Sequence, residues 1–345
     1  MKVISTLLGL SAVGLLALAP VAQAQSINGA GSSFAAPIYQ KWAEAAAGPT
    51  GVKLNYQSIG SGGGINQVTN RTVDFGASDM PLTSDKLTAA KLFQFPTVMG
   101  GVVMIVNLPG IKPNELRLTG PVVADIYLGK ISKWNDPAIE ALNKGLKLPS
   151  LAIAPVYRAD ASDTTYVFTD YLSKVSPEWK SKVGSATSVK WAVGAGAKGS
   201  EQVAGTVRNI RGGIGYVESA YAETNKLTTT MLENRNGHFV APTMAAFVAA
   251  ASNADWKNVE HFAINLNDEP GDETWPILSA TFVLVPTNPA NATPQDAVLR
   301  FFDWGLTHGD DIAKQLLYVP LPASTKAQIE AAWKAELGWK TAKSN

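Results

Sequence analysis

The order of apolar and polar residues predicts strands and helices that alternate along most of the chain. Strands are predicted where short apolar runs are continuous and rich in β-branched residues, at 52–57, 73–77, 97–106, 153–157, 214–217 and 277–285. Helices are predicted where apolar residues recur at helical spacing, at 37–47, 84–92, 162–175, 242–251, 297–307 and 325–337. Strands that alternate with helices are typical of an α/β protein with largely parallel sheets.

Two of the predicted strands are long and uniformly apolar, and they lie near residues 100 and 280. Strands that pass between the lobes of a protein are continuous and buried, so we interpret these two as hinge crossings. This interpretation divides the chain into a discontinuous first lobe, residues 25–103 plus 280–345, and an inserted second lobe, residues 104–279. The alternative is that both are ordinary central strands of one large sheet.

The first 24 residues have the pattern of a secretory signal peptide, not of a folded segment. Lys2 supplies a positive charge, residues 4–19 are apolar or small, and Ala22-Gln23-Ala24 fits a small-x-small cleavage site. An N-terminal membrane anchor is the less favoured alternative, because the apolar run is short and no cationic stop-transfer pattern follows it. We therefore expect cleavage before Gln25 and export of a soluble mature chain.

Composition narrows the possible functions. The roughly 320 residues after the signal peptide exceed what one hydrophobic core usually organises, which favours two domains. The sequence contains no cysteine, which excludes disulfides, thiolate zinc sites and a cysteine nucleophile. The formal net charge is +1 without long runs of one sign, so the chain lacks the basic surface of a non-specific nucleic-acid-binding protein.

Four short segments have the composition of an oxyanion-binding site. They are residues 29–34, 60–64, 74–79 and 158–164. Glycine and serine let backbone N–H groups approach a tetrahedral anion closely, and a helix N-terminus favours negative charge. Taken alone, the first segment also fits a simple strand-to-helix turn, and the second also fits a disordered linker. Because the four segments are far apart in sequence, together they indicate a cleft between lobes.

Two charged positions in these segments indicate which anion binds. Asp79 beside an anion is repulsive unless a proton lies between them, and two charges about 3 Å apart at an effective dielectric near 20 repel by roughly 5 kcal/mol. A protonated anion can donate its hydrogen to Asp79, which favours phosphate over fully deprotonated sulfate. Arg158 has a planar guanidinium suited to two anion oxygens, and Asp160 is placed to orient it. The alternative is a structural ion pair at a strand end.

Other motifs are weaker. Residues 194–199 match the pattern G-x-G-x-x-G, but no βαβ unit surrounds them in the required order, so we interpret them as a glycine turn. The three histidines, His238, His261 and His308, are isolated and lack metal-ligand spacing. We therefore expect neither a metal site nor a cofactor.

The motifs and their order make the chain resemble the periplasmic phosphate-binding proteins of bacterial high-affinity ABC phosphate transporters, over about residues 27–333. The resemblance is carried by Gly-Ala-Gly at 29–31, Lys-Trp-Ala at 41–43, Asn-Tyr-Gln at 55–57, Val-Asp-Phe-Gly-Ala-Ser-Asp at 73–79, Phe-Gln-Phe-Pro-Thr-Val at 93–98, Asp-Ile-Tyr-Leu-Gly-Lys at 125–130, Arg-Ala-Asp at 158–160, Gly-Tyr-Val-Glu at 215–218 and Phe-Phe-Asp-Trp at 301–304. It implies a two-lobed α/β clamp with two hinge crossings, in which each lobe is a mixed, mostly parallel sheet flanked by helices.

The resemblance also implies which residues hold phosphate. Hydroxyl and backbone donors come from Ser33, Phe34, Ser61, Ser162, Asp163 and Thr164; Arg158 clamps the anion, Asp160 holds the arginine, and Asp79 accepts the phosphate proton. The implied protein is a periplasmic monomer that binds inorganic phosphate without chemistry and delivers it to an ABC phosphate permease in the inner membrane.

Two positions depart from the family pattern. The family usually has glycine where this chain has Asp163, and again where it has Ala161. An inward carboxylate at position 163 would repel the ligand, whereas negative charge is tolerated at the outside of a helix start. We therefore expect the Asp163 carboxylate to point outward while its backbone N–H still donates to the anion.

Three other functions remain as alternatives. The first is a binding protein for sulfate, molybdate or a phosphonate, against which Asp79 argues. The second is a secreted phosphatase, which is disfavoured because Ser33, Ser61 and Ser162 have no histidine near them in sequence. The third is an adhesin or structural surface protein, in which the anion site would be incidental.

Overall fold

The computed structural model describes residues 24–289 and 291–340. The predicted signal peptide, except its last residue Ala24, lies outside the described residues. Within those ranges, no helix combines the length and apolar character needed to cross a membrane.

All the predicted strands are confirmed, with ends shifted by a few residues, and further short strands are present. The strands are β1 (Gln25–Gly31), β2 (Val52–Ser58), β3 (Phe75–Ser78), β4 (Leu92–Val106), β5 (Arg117–Leu118), β6 (Ala154–Arg158), β7 (Ala195–Ala197), β8 (Gly213–Glu218), β9 (Thr228–Thr229), β10 (Met231–Glu233), β11 (Phe239–Val240), β12 (Leu278–Pro286) and β13 (Tyr318–Pro320).

The predicted helices are confirmed as well, again with further ones between them. The helices are α1 (Ala36–Thr50), α2 (Ser61–Thr69), α3 (Ser84–Ala90), α4 (Gly120–Tyr127), α5 (Pro137–Leu142), α6 (Asp163–Val175), α7 (Pro177–Lys182), α8 (Gly199–Asn209), α9 (Ser219–Thr224), α10 (Met244–Ala251), α11 (Ala292–His308), α12 (Asp310–Gln315) and α13 (Ala323–Glu336).

One mixed sheet runs through the molecule in the order β2, β1, β3, β12, β4, β8, β6 and β7. The strands at its two ends are parallel: β2, β1 and β3 form one group, and β8, β6 and β7 form the other. The central strands β12 and β4 run antiparallel to their neighbours. The expected parallel pairing is therefore found within each outer group, which gives two α/β halves joined through the centre.

Strand β4 belongs to both halves. Its residues 92–101 pair with β12, and its residues 102–106 pair with β8. Every residue of β4 is buried, which accounts for the uninterrupted apolar run in the sequence. The two long apolar strands predicted near residues 100 and 280 are thus direct neighbours in the centre of the sheet, and β4 continues from one half into the other.

The glycine-rich segment at 60–64 is the start of a helix, not a loop. Helix α2 begins at Ser61 and packs so closely on β1 that a Cβ atom on Gly64 would collide with the backbone of Ala30 and Gly31. On the other side, a Cβ atom on Gly60 would collide with the carboxylate of Asp160. Glycine is required here because two backbones and a side chain approach closely, not because the segment is flexible.

Strand β1 was not predicted, because its sequence of small and polar residues lacks the β-branched character of the other strands. It is held as a strand by parallel pairing with β2 on one side and β3 on the other. The residues that follow β1, β3 and β6 in the chain are those of three predicted oxyanion segments. Ligands of open α/β sheets bind outside the carboxyl ends of strands, so the topology itself brings these segments to one cleft.

Candidate functional site

The predicted site residues come together between the two halves of the molecule. Of the nine predicted residues, Ser33, Phe34, Ser61, Asp79, Arg158, Ser162, Asp163 and Thr164 are buried, and Asp160 is half-buried at their edge. Their hydrogen bonds connect residues separated by as many as 284 positions in the chain, as between Phe34 and Tyr318. The site is therefore assembled by the tertiary fold from distant segments of the chain, which agrees with the cleft indicated by the sequence.

Arg158 is the buried cation of the site. Asp160 accepts hydrogen bonds from Nε and Nη2 of Arg158 at 2.8 and 2.5 Å, and its Oδ1 also accepts from the backbone N–H of Gly199 at 3.0 Å. Burial opposes the charge of Arg158, but the hydrogen bonds and the charge of Asp160 outweigh burial and raise the pKa of Arg158. The predicted Arg158–Asp160 pair is confirmed. It leaves Nη1 facing Thr164 and Ser200, with 3.4 Å to each hydroxyl oxygen.

The carboxylate of Asp79 accepts hydrogen bonds from three hydroxyl groups. Its Oδ1 accepts from Ser32 at 2.6 Å and from Thr281 at 2.9 Å, and its Oδ2 accepts from Ser32 at 2.7 Å and from Ser61 at 3.4 Å. Burial, followed by the negative charge of Asp163, raises the pKa of Asp79 to about 7, against the opposing effect of the hydroxyl groups. Near neutral pH this carboxyl group therefore exchanges a proton readily.

The expectation that Asp163 points outward is wrong. Its side chain is fully buried, and its Oδ2 accepts hydrogen bonds from Ser78 Oγ at 2.5 Å and from the backbone N–H groups of Asp79 and Met80 at 3.0 and 3.3 Å. These two N–H groups lie just beyond the end of β3, where the strand ladder no longer uses them. They attract the carboxylate across the cleft more strongly than solvent does on the outside of the helix.

The serine and threonine donors of the second half lie at helix starts. Ser162 caps α6 by accepting from the backbone N–H of Thr165 at 3.3 Å. Thr164 lies in the first turn of α6 and faces Arg158. Helix N-termini favour negative charge, so these positions are suited to an anion.

Several residues that line the site were not predicted from the sequence. Ser200 at the start of α8 lies 3.1 Å from the hydroxyl of Ser33 and donates its backbone N–H to it at 3.2 Å. The glycine turn expected at 194–199 is wrong, because residues 195–197 form strand β7 in parallel pairing with β6, and the segment leads directly into α8 and Ser200. A glycine-rich segment before a helix start is nevertheless the same signal that marked the other segments. Ser32 lies in the predicted segment 29–34 but is not among the predicted site residues, and Thr281 was not predicted at all, because a hydroxyl group that only donates to a carboxylate has no sequence motif of its own.

The two halves are in direct contact around the site. Ser58 donates to Oε1 of Glu201 at 2.8 Å, and the backbone N–H of Gly62 donates to the carbonyl oxygen of Ala161 at 3.2 Å. The hydroxyl of Tyr221 donates to the carbonyl oxygen of Ser33 at 2.5 Å. The site residues are therefore shielded from bulk water, which strengthens every electrostatic interaction among them.

The sequence of the chain is similar to those of known phosphate-binding proteins. The chain matches the family model described as the PBP superfamily domain over residues 19–307. It is 50% identical over 318 residues to the phosphate-binding protein PstS of Haemophilus influenzae, an alignment that covers 92% of this chain and 95% of that protein. It is 52% identical over 310 residues to the phosphate-binding protein PstS of Xylella fastidiosa, with 90% and 85% covered.

Solved structures agree at the level of the fold. The crystal structure of a phosphate-binding protein from Stenotrophomonas maltophilia is similar, with a TM-score of 0.67 and 19% sequence identity over 89% of this chain and 94% of that one. Such low identity shows a shared two-lobed fold alone. The relatives from Haemophilus and Xylella reach about half identity over nearly the whole chain, and on that basis the chain belongs to the PstS family of phosphate-binding proteins, within the PBP superfamily.

Proposed function

We propose that this protein captures inorganic phosphate in the cleft between its lobes and delivers it to an ABC-type permease for high-affinity uptake. The observation that carries the proposal is the pairing of a buried cation with a buried proton acceptor. Arg158 is held in place by Asp160, and its charge reaches Asp79, whose carboxyl group is ready to receive a proton. A tetrahedral anion that still carries hydrogen satisfies both groups, as phosphate does near neutral pH.

The proposed roles of the individual residues follow from where they lie. Ser33 and Phe34 precede α1, Ser61 begins α2, and Ser162, Asp163 and Thr164 begin α6, so each offers a hydroxyl group or a backbone N–H group to the anion. Arg158 supplies the positive charge and Asp79 accepts the proton. We assign residues 25–103 plus 280–345 to one lobe and residues 104–279 to the other.

The proposed activity is binding and release without chemistry. In the described part of the chain, the hydroxyl groups of Ser33, Ser61 and Ser162 make no hydrogen bond to a histidine that could act as a base. Incubation with a chromogenic phosphate ester tests this directly. Sustained turnover that disappears in an Arg158→Ala variant would contradict a pure binding role.

Calorimetric titration with phosphate, arsenate and sulfate tests the proposed ligand. We expect a dissociation constant for phosphate of about 1 μM or lower, which corresponds to about −8 kcal/mol, and full competition by arsenate. Sulfate is expected not to compete, because it carries no proton for Asp79. Equal binding of sulfate and phosphate, or no binding of phosphate, would contradict the proposal.

The proposed place of action is the periplasm, where the protein works as a monomer. Release of the mature chain by osmotic shock, with an N-terminus at Gln25, tests the location. Loss of phosphate uptake at low external phosphate in cells that lack the protein tests the link to a permease. Restoration of uptake by the wild-type chain but not by an Arg158→Ala variant is the expected result.

A further inference from the structure

A second carboxylate lies inside the site beside the first. Asp163 crosses from the start of α6 to the segment after β3, where it accepts from the backbone N–H of Asp79 itself at 3.0 Å. Burial raises the pKa of Asp163, and the hydroxyls of Ser78 and Ser61 oppose this. Ser61 also donates to Asp79 at 3.4 Å, so the two carboxylates have a common neighbour. Asp163 is flanked in the chain by Ser162 and Thr164, both proposed phosphate donors.

One oxygen of Asp163 has no hydrogen-bond partner. Its Oδ2 accepts three hydrogen bonds, whereas its Oδ1 is buried and accepts none from the described residues. A buried carboxylate oxygen without a donor is costly, and native structures leave few of them. A bound molecule that carries a hydrogen can supply the donor that this oxygen lacks.

The charges around Asp163 show what that donor must be. Asp79 and Tyr166 interact electrostatically with Asp163 itself. One step further away, Arg158 and Glu218 interact with Asp79, Asp160 pairs with Arg158, and Lys86 lines the open cleft beside Asp79. The buried cation Arg158 is already paired with Asp160. Ionised Asp79 and Asp163 would then leave two negative charges before any anion enters. An anion can join them only if protons come with it.

We propose that Asp163 is a second proton acceptor in the phosphate site, so that the bound complex carries one proton more than a site with Asp79 alone. One phosphate hydroxyl donates to Asp79, and a second donates to Oδ1 of Asp163. The site therefore selects the dihydrogen phosphate monoanion over the monohydrogen dianion. This inference rests on the proposed function and makes Asp163 a specificity-determining residue.

The charge balance gives the direction of the effect. A complex that holds one additional proton is favoured when protons are abundant, so affinity rises as the pH falls. Each added proton makes the dissociation constant depend on pH by about tenfold per pH unit, above the pKa of the group that receives it. Removal of the Asp163 carboxylate removes that dependence and leaves the dependence due to Asp79.

The experiment compares the wild type with Asp163→Gly and Asp163→Asn. Phosphate affinity is measured by calorimetry from mildly acidic to mildly alkaline pH, in buffers that differ in ionisation enthalpy, so that proton uptake is read directly. Asp85→Asn serves as the control, because Asp85 is also in the first turn of a helix but is exposed. Circular dichroism verifies that each variant is folded.

We expect the wild type and Asp85→Asn to take up one proton more than both Asp163 variants. Their phosphate affinity should fall about tenfold more steeply per pH unit on the alkaline side. Equal proton uptake in all four proteins would overturn the inference and leave the proposed function intact. Phosphate binding by Asp163→Gly but not by the wild type would also overturn it, because Asp163 would then exclude phosphate. Absence of binding in every protein would instead mean that the proposed function itself has failed.

Discussion

The hydroxyl of Ser32 bridges both carboxylate oxygens of Asp79, at 2.6 Å from Oδ1 and 2.7 Å from Oδ2. Its oxygen also accepts from the backbone N–H of Ala35 at 3.0 Å, directly before helix α1. One side chain thus fixes the position of the Asp79 carboxylate relative to the start of helix α1. The bridge opposes the effect of burial, and the pKa of Asp79 is about 7 as a result.

Replacement of Asp79 by asparagine should weaken the preference for phosphate over sulfate. A carboxylate can only accept hydrogen bonds and therefore repels a fully deprotonated anion, whereas an amide can donate to one. The variant should therefore no longer disfavour sulfate. We expect phosphate affinity to fall at least about tenfold, which is about 1.4 kcal/mol, while sulfate binding becomes measurable. Competition calorimetry with both anions is the measurement. Asp74→Asn, in the same segment but outside the site, should keep the wild-type preference, and an unchanged preference in Asp79→Asn would contradict the role given to that carboxyl group.

Replacement of Asp160 by asparagine should weaken phosphate binding without contact between residue 160 and the anion. Asp160 accepts two hydrogen bonds from Arg158, and an amide would direct an N–H group at the guanidinium instead. We expect a loss of about 1.5–3 kcal/mol in binding free energy, the usual range for a charged hydrogen bond. A double-mutant cycle with Arg158→Lys should show strong coupling, whereas additive losses would mean that the pair does not act as a unit. Glu330→Gln, which removes an exposed pair with Lys334, is the matched control.

Glu218 is a buried acid whose hydrogen bonds fit its protonated form. The hydroxyl of Tyr318 lies 2.5 Å from the carbonyl oxygen of Phe34 and 3.1 Å from Oε2 of Glu218. A tyrosine hydroxyl has one proton, and the shorter contact indicates that Tyr318 donates it to the carbonyl oxygen of Phe34. The contact between Tyr318 and Glu218 is then a hydrogen bond only if Glu218 is protonated and donates to the hydroxyl oxygen of Tyr318. Burial raises the pKa of Glu218 to about 8, although hydrogen bonds from Ala220 and Ser219 oppose this.

The free energy of unfolding should therefore decline as the pH rises toward 8. The folded pKa of Glu218, about 8, lies above the ordinary value of 4.5, so its contribution to stability is complete below 4.5 and is lost as the pH rises through 8. We expect Glu218→Gln, which mimics the protonated form, to lose less stability over this window by about 1 kcal/mol or more. Urea denaturation at a series of pH values measures it. The raised pKa of Asp79 acts in the same direction, but it is common to both proteins, so the difference between their stabilities reports Glu218 alone. Parallel plots of unfolding free energy against pH would show that Glu218 is ionised in the folded protein.

Replacement of Gly64 by alanine should destabilise the protein. The added Cβ would collide with the backbone of Ala30 and Gly31, which β1 cannot move without loss of its pairing to β3. We expect a loss of about 1–3 kcal/mol in the free energy of unfolding, the usual cost of overpacking. Gly205→Ala in α8 is the matched control, because nothing lies within 4 Å of its added Cβ, and it should stabilise the helix by about 0.5–1 kcal/mol. Equal changes in the two variants would contradict the close approach of α2 to β1.

Much of the fold could be predicted from local pattern. Strand β4 and helix α6 are recognisable because their apolar spacing reflects burial on both faces and on one face, respectively. The ion pair of Arg158 and Asp160 was also predictable, since two residues at a strand end have few other partners. Strand β1 was not, because its hydrogen-bonding partners lie elsewhere in the chain and its own residues have weak strand preference.

The direction of Asp163 could not be predicted from the sequence. The N–H groups that attract its carboxylate belong to Asp79 and Met80, which are more than eighty positions away. A helix start favours a carboxylate on either side, so the local pattern does not distinguish inward from outward. Only the tertiary placement of β3 opposite α6 decides between them, and the same holds for the contact of Ser200 with Ser33.

Strand β4 changes partner between Gly101 and Val102 without a break in its own backbone. Because the backbone is continuous there, a movement that separated the two halves would bend one strand and would not peel two sheets apart. Such a bend would expose no unpaired strand edge along this seam, and so no template for pairing with a neighbouring chain.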